Sequence, residues 1–338
     1  MDESLATALA RAFPDSDVTE TVPAGPSWNP GNRSVRVEFA DGSRRYLKLA
    51  MDGDGTRVAR ERAAIAFAAR NCEVRTPTVV ASDSTGPVPY LATAPMAGRP
   101  LRESWSAATE TERRNLARRI GDALARVHAE RFPSHGRIAG LDAERGAERG
   151  TERGAECGAE LAAADLVLET GPWSEVLVAT IEEMRETVPS ARLDHHFDAV
   201  IAAVRTNATL LDAAPAALLH GDPAMPNCRL GADAFGFLDW ELAHVGDPVR
   251  DLYRARDQQF TDLQDEGPEA VVSAFHDGYA RRAGGLPEGY DERVPVYRAV
   301  RLLGASGFVE RFAEYRDEST DELAAWIDAE MDRRLGRL

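Results

Sequence analysis

Apolar residues alternate with polar ones from Val35 through Val37 to Phe39, and extended character resumes from Tyr46 to Leu49 beyond an Asp41-Gly42 pair. A period of two broken by a turn-forming dipeptide predicts a β-hairpin. The period then lengthens. From about Thr56 to Arg70, Val58, Ile65 and Ala69 recur at helical spacing. Short apolar runs broken by Gly and Pro return between Thr78 and Thr93, so this region reads strand, strand, helix, strand, strand.

After Gly98 the pattern is helical. Thr109 followed by Glu112 predicts a capping box, and Leu116, Ile120, Leu124 and Val127 form one stripe of a helix ending near His128. Ala143 to Gly158 repeats a four-residue unit with glycine at every fourth position, which costs about 1 kcal/mol each against helix and offers nothing large to bury. That stretch, about 143–160, is expected to be a flexible surface insertion. Helices resume from Ser174 to about Leu211 and again over Tyr297 to Phe312, with Gly and Pro breaks near Gly284 to Gly289.

At 338 residues and 43% hydrophobic the chain can bury a sizeable core. It contains no run of about eighteen apolar residues, and its start, MDESLATALARAF, lacks the order of a signal peptide, so a cytoplasmic location without a membrane partner is expected. Cys72, Cys157 and Cys228 are widely separated and odd in number, which favours reduced thiols. A net charge of -16 argues against a nucleic-acid partner. Arginine supplies every cation except Lys48, against 56 Asp plus Glu. Acidic, lysine-poor surfaces suit concentrated salt, where self-repulsion is screened within about 3 Å at 1 M, so a halophilic source is expected.

The chemistry concentrates between Leu218 and Leu252. Leu218-Leu219 end a short apolar strand, Pro223 and Pro226 force an irregular loop, and Cys228 to Leu230 and Phe235 to Leu238 pair across a turn at 231–233. Such a hairpin returns Asp239 to the end where Asn227 sits, and two oxygen ligands side by side suit Mg²⁺. Asp222, five residues before Asn227, can reach a substrate hydroxyl beside that metal. Taken singly, Asp222 and Asn227 could be turn formers.

As an ordered set, His220-Gly221-Asp222, Asn227, Asp239 and Gly246-Asp247 with Asp251-Leu252 resemble the catalytic motif of the aminoglycoside phosphotransferase family. The resemblance implies an α+β, two-lobed protein-kinase-like fold, with a small antiparallel-sheet N-lobe at 1–93, a hinge at 94–98 and a larger, mostly helical C-lobe at 99–338. It implies an ATP-dependent small-molecule kinase in which Asp222 is the catalytic base and Asn227 and Asp239 hold magnesium. His220 is expected to brace the loop, and Asp247 and Asp251 to cap the next helix or orient the catalytic loop.

The same resemblance requires a cation for the ATP phosphates, and Lys48 on the second hairpin strand is the one lysine available. Glu61 lies between Val58 and Ile65 on the following helix, where a carboxylate would be expensive to bury alone, so a Lys48–Glu61 pair is expected. Between the first strands, 25–34 lacks GxGxxG. Gly31, Asn32 and Ser34 offer donors to phosphate, although a plain turn fits equally. Ala94 and Met96 fall in the segment that resembles the adenine-binding hinge. His195-His196 reads as a solvated helix face and His128 as capping or packing. The acceptor is not legible. The alternative from another class is a nucleotide-binding pseudokinase, which the joint presence of Lys48, Glu61, Asp222, Asn227 and Asp239 opposes.

Overall fold

The computed structural model describes residues 2–25, 28–142, 165–232 and 234–338. The glycine repeat, with Cys157, lies outside them. The chain opens with a helix that the strand-first reading overlooked, α1 (Glu3–Ala12), whose first turn is capped by Asp2 accepting from Leu5 N–H at 2.9 Å. An edge strand, β1 (Val18–Pro23), precedes the expected hairpin of β2 (Asn32–Phe39) and β3 (Arg44–Ala50). Helix α2 (Gly55–Asn71), β4 (Val79–Asp83) and β5 (Tyr90–Thr93) follow.

These strands form one antiparallel sheet in the order β1-β2-β3-β5-β4. Strand periodicity decides what each face does. Val35, Val37, Phe39, Leu47, Leu49, Tyr90 and Ala92 form one apolar cluster with Leu5, Ala8, Leu9 and Ala12 of α1. Lys48 therefore emerges on the opposite face, together with its cross-strand partner Ser34. On α2, Val58, Glu61, Ala64, Ile65 and Ala68 are buried, while Ala69, expected on the stripe, is exposed.

The connection at 94–98 leads to β6 (Arg99–Pro100), α3 (Leu101–Ser106) and α4 (Glu110–Val127), the last with both halves of the Thr109–Glu112 capping box formed. Beyond come β7 (Gly136–Leu141), β8 (Leu166–Thr170), α5 (Trp173–Thr187), α6 (His195–Thr206) and α7 (Ala208–Asp212). The chemical stretch comprises β9 (Ala217–Leu219), β10 (Cys228–Leu230), β11 (Phe235–Phe237), β12 (His244–Gly246) and α8 (Pro248–Phe260). Helices α9 (Glu269–Ala283), α10 (Tyr290–Gly307), α11 (Val309–Ala313) and α12 (Thr320–Leu335) complete the chain.

Helix predominates here as expected, but short strands interrupt it. β11-β10-β6 make one small sheet and β8-β7-β12-β9 another, and the second holds β9 and β12 in register beneath the loops that follow them. Helices α4 and α9 approach backbone to backbone. A Cβ at Gly121 would lie 2.1 Å from the Phe275 carbonyl oxygen, and one at Gly278 equally close to that of Arg118, so glycine at both positions permits the crossing. Cys72 and Cys228 are buried thiols. No helix among the described residues is long and apolar enough to cross a membrane.

Candidate active site

The loop leaving β9 is shaped by backbone demands first. Gly221 has φ +84, and a Cβ there would fall 2.0 Å from the Leu242 carbonyl oxygen, so only glycine fits between His220 and Asp222. Asp251, fully buried one turn into α8, accepts the N–H groups of His220 at 2.7 Å and Gly221 at 3.0 Å. Burial alone would raise its carboxyl; influences led by the hydrogen bond from His128 outweigh burial and hold it well below the usual carboxylate range.

His220 ties the same loop to the hairpin. Its Nδ1 accepts from the Asp222 N–H at 3.2 Å, which makes Nε2 the protonated nitrogen that donates to the Leu238 carbonyl at 3.0 Å. Burial lowers its pKa, keeping the ring neutral. His220 thus makes the hydrogen bonds expected of a loop brace, and Asp251, expected to cap the next helix or orient the loop, holds the loop's N–H groups. Asp247 caps α8 by accepting from Val249 N–H at 3.0 Å, and it receives Arg293 Nε at 2.7 Å and the Tyr297 hydroxyl at 2.6 Å. Those contacts leave it buried and structural. His128 packs as expected, 3.2 Å from the Tyr279 hydroxyl.

Asp222 is itself held by α8 and by the loop. Its Oδ1 accepts from Arg254 Nη2 at 2.9 Å, Arg254 Nε at 3.2 Å and Gln258 Nε2 at 2.8 Å, while Oδ2 accepts from Asn227 Nδ2 at 3.0 Å. Burial would raise the carboxyl, but Arg254 foremost, then Gln258 and His220, hold it below its ordinary value. Arg254 and Gln258 escaped the sequence reading. A signal existed, because Asp251, Arg254 and Gln258 stand at i, i+3 and i+7 and so share one face of α8.

The hairpin β10–β11 forms as expected, and the Leu238 N–H meets the Asn227 carbonyl at 2.7 Å. Asp239 follows with φ +63, the one positive φ among the described non-glycine residues, a strained conformation of the kind that recurs at functional sites. Its side chain does not pair with that of Asn227. Asp239 Oδ1 lies 2.6 Å from Lys48 Nζ, while the Asn227 amide nitrogen is committed to the carbonyl and carboxylate of Asp222. The ammonium draws Asp239 toward β3, and the Asn227 amide hydrogens have the nearer acceptors on the loop.

Lys48 meets Glu61 at 2.8 Å, as expected, and also Glu241 at 2.9 Å. Glu241 is a third carboxylate the sequence reading missed, and its Oε2 receives Asn32 Nδ2 at 2.6 Å. Lys48 is 18% and Glu61 7% exposed. Burial opposes the charge on Lys48, but Asp239, Glu241 and Glu61, in that order, raise its pKa well above the ordinary value. Glu61 is pushed up to about 7, first by burial and then, against Lys48, by Asp239 and Glu241.

Oxygen donors from Glu61, Asp239 and Glu241 lie within 4.8 Å of one another. Three carboxylates around one ammonium leave a formal charge of -2, and all the donors are hard oxygens. Asn227, with its amide nitrogen occupied, offers its carbonyl oxygen. This chemistry fits a magnesium ion.

Around this cluster the remaining expected residues are less direct. The Gly31 N–H is taken by Asn29 Oδ1 at 2.8 Å, and the Ser34 carbonyl accepts from Ala24. Ser34 shares the Lys48 face, and Asn32 reaches the cluster through Glu241. The Ala94 N–H is bonded to the Thr78 carbonyl at 2.9 Å, so Ala94 has only its own carbonyl to offer a base, and Pro95 has no N–H. Met96 comes next. His195-His196 departs from the expected solvated face: His195 is exposed, but His196 is buried and bonded to Ser306 Oγ at 2.8 Å and Asp328 Oδ1 at 3.0 Å.

In fold the chain is similar to a thermostable mutant of the aminoglycoside phosphotransferase APH(4)-Ia, with TM-score 0.59 and 14% identity over 98% of each chain. It is similar too to the GDP and kanamycin complex of APH(2")-IIia, at TM-score 0.57 and 12% identity over 99% of each. The macrolide 2′-phosphotransferase MphH of Brachybacterium faecium matches at TM-score 0.50 and 20% identity, over 95% of this chain and 97% of that one. At such identities the likeness is one of fold. No curated protein sequence matches. The sequence model of the phosphotransferase enzyme family, however, matches residues 27–295, most of the 338, and the chain therefore belongs to that family.

Proposed function

We propose that this protein transfers the γ-phosphoryl group of ATP to a hydroxyl group of a small molecule, with Asp222 orienting that hydroxyl and accepting its proton. The observation that carries this reading is the convergence of a buried Lys48–Glu61 pair, Asp239 at a strained hairpin end and an ionised Asp222 linked through Asn227 to the same hairpin.

Asp222 Oδ1 is saturated by Arg254 and Gln258, while Oδ2 takes only the Asn227 amide, so a lone pair on Oδ2 remains for the acceptor hydroxyl. A carboxyl held below its usual pKa is a weak base. It aligns the hydroxyl and takes the proton late, as suits a loose phosphoryl-transfer transition state. Lys48 holds the α and β phosphates by exchanging the Asp239 carboxylate for phosphate oxygens while Glu61 keeps its side chain in place. Magnesium held by Asp239, Glu241 and the Asn227 carbonyl oxygen would neutralise phosphate charge. Arg254 adds a cation beside the reacting hydroxyl that the 220–227 loop itself lacks. Ser34, Ala94 and Met96 complete the nucleotide contacts.

Proteins of this fold are described with kanamycin and as a macrolide phosphotransferase, so hydroxyl-rich natural products head the acceptors to test. ADP release should be screened in molar KCl with ATP, Mg²⁺ and a panel of aminoglycosides, macrolides, sugars and amino alcohols. Stimulation by at least one class is expected. ATP binding without turnover on any acceptor would favour the pseudokinase instead.

A further inference from the structure

Two histidines and an aspartate converge outside the Lys48–Asp222 cleft and share no residue with it. His195 Nε2 and His196 Nε2, at the start of α6, lie 3.1 and 3.0 Å from the same oxygen, Asp328 Oδ1 on α12. All three donor atoms fall within 4.8 Å of one another, and the two rings stand edge to face with centroids 4.4 Å apart. Ligand atoms bound at 2.0–2.1 Å to a tetrahedral ion are about 3.3 Å from one another, close to the spacings seen here.

The environment of His196 gives the cluster direction. Ser306 Oγ lies 2.8 Å from His196 Nδ1 and 3.3 Å from the Leu302 carbonyl; when the hydroxyl donates to Leu302, the contact with Nδ1 is one in which the ring donates. A hydrogen on Nδ1 leaves the Nε2 lone pair of the neutral ring facing the Asp328 carboxylate, acceptor against acceptor. A cation between them removes the conflict. A proton would place a charge on a ring that is only 3% exposed, whereas a metal ion would lie at its outer edge, toward half-exposed Asp328 and exposed His195. Asp332, one turn beyond Asp328 on the same face of α12, adds negative charge near His196. In that tautomer Ser306 stands to His196 as the outer hydrogen-bond partner stands to a metal-ligating histidine.

We propose that His195, His196 and Asp328 bind a zinc-class divalent cation that staples α6 to the C-terminal helix α12. Two imidazole nitrogens and one carboxylate select zinc, nickel or copper over magnesium and calcium, which prefer all-oxygen sets. The position facing solvent is completed by water. The proposal is independent of the phosphotransfer reading.

Chelator-stripped full-length protein should be titrated with Co²⁺ in excess Mg²⁺, which saturates oxygen sites. Wild type is expected to develop a saturable visible ligand-field absorption at one equivalent, displaced by Zn²⁺. Zn²⁺ is expected to raise the thermal midpoint. His195→Ala and Asp328→Asn, both changes at solvent-accessible side chains that leave the core intact, should weaken Co²⁺ binding at least tenfold and abolish the Zn²⁺-dependent shift. Absence of saturable absorption in wild type, or equal binding by folded wild type and both variants, would overturn the proposal.

Discussion

Arg254 offers the sharpest perturbation, because it acts on Asp222 without belonging to the sequence motif. Replacing it with Gln removes two charge-assisted hydrogen bonds, at 2.9 and 3.2 Å, from Asp222 Oδ1 and keeps Gln258 and Asn227 in place. Hydrogen bonds to charged groups are worth about 1.5–3 kcal/mol net. With both partners about a fifth exposed, the lower half of that range applies to the pair. With the guanidinium gone, burial works against the Asp222 carboxylate with less opposition, so its pKa should rise from its lowered position. In the proposed role Asp222 must be ionised to accept the acceptor's proton, so activity should be lost as pH falls through its pKa. In wild type Arg254 holds that limb on the acid side of an ordinary carboxylate's. In Arg254→Gln the acid limb should move to higher pH, and losing about 1.5–2 kcal/mol of interaction beside the reacting hydroxyl should lower ADP release about 10–100-fold. Arg254→Lys, which keeps the charge without the fork, should recover part of both effects. Coincident acid limbs in wild type and Arg254→Gln would refute the reasoning.

Glu61 carries a pH dependence of the opposite sense. Its carboxyl is raised from 4.5 to about 7, so its contribution to stability is fully present below about 4.5 and lost as pH rises through about 7, a swing on the order of 3 kcal/mol without nucleotide. Glu61→Gln should flatten that part of the unfolding curve between pH 5 and 8, and parallel curves would contradict the assignment. Gly221→Ala forces a left-handed backbone and a clash with Leu242, so a destabilisation of about 2–4 kcal/mol in denaturant unfolding is expected, with loss of turnover. An unchanged midpoint would show that the loop relaxes freely. A chain of net charge -16 should gain stability from dilute buffer to molar KCl, and a salt-independent midpoint would remove the halophilic reading.

The sheet was legible wherever one of its faces is buried. Val35, Val37 and Phe39 alternate because α1 covers that face, and the same covering sends Lys48 to the other side. Edge strand β1 has exposed or half-exposed residues throughout, so no alternation marks it. Much of the buried face of α1 is alanine, which weakens its stripe. β9 and β12 are three residues each, too short for a period to show.

In the site, Asp222, Asn227 and Asp239 were found through ordered spacing, and Lys48 through its singularity in an arginine-rich chain. Glu241 was not legible, because nothing local separates it from any acidic residue near a turn; its partners Lys48 and Asn32 come from distant strands. His195 and His196 are adjacent and identical in type. Only the packing of α6 against Ser306 and Asp328 makes one buried and the other exposed.

The central claim concerns where the γ-phosphoryl group goes and what Asp222 does. ³¹P NMR of ATP, Mg²⁺ and the stimulating acceptor tests it directly, with Asp222→Asn run beside wild type and nucleotide affinity measured by calorimetry. Wild type should convert ATP to ADP with growth of a phosphomonoester resonance on the acceptor. Asp222→Asn should form no such product while binding Mg²⁺–ATP within a few-fold of wild type. Product formation at equal rates by both proteins would contradict the account.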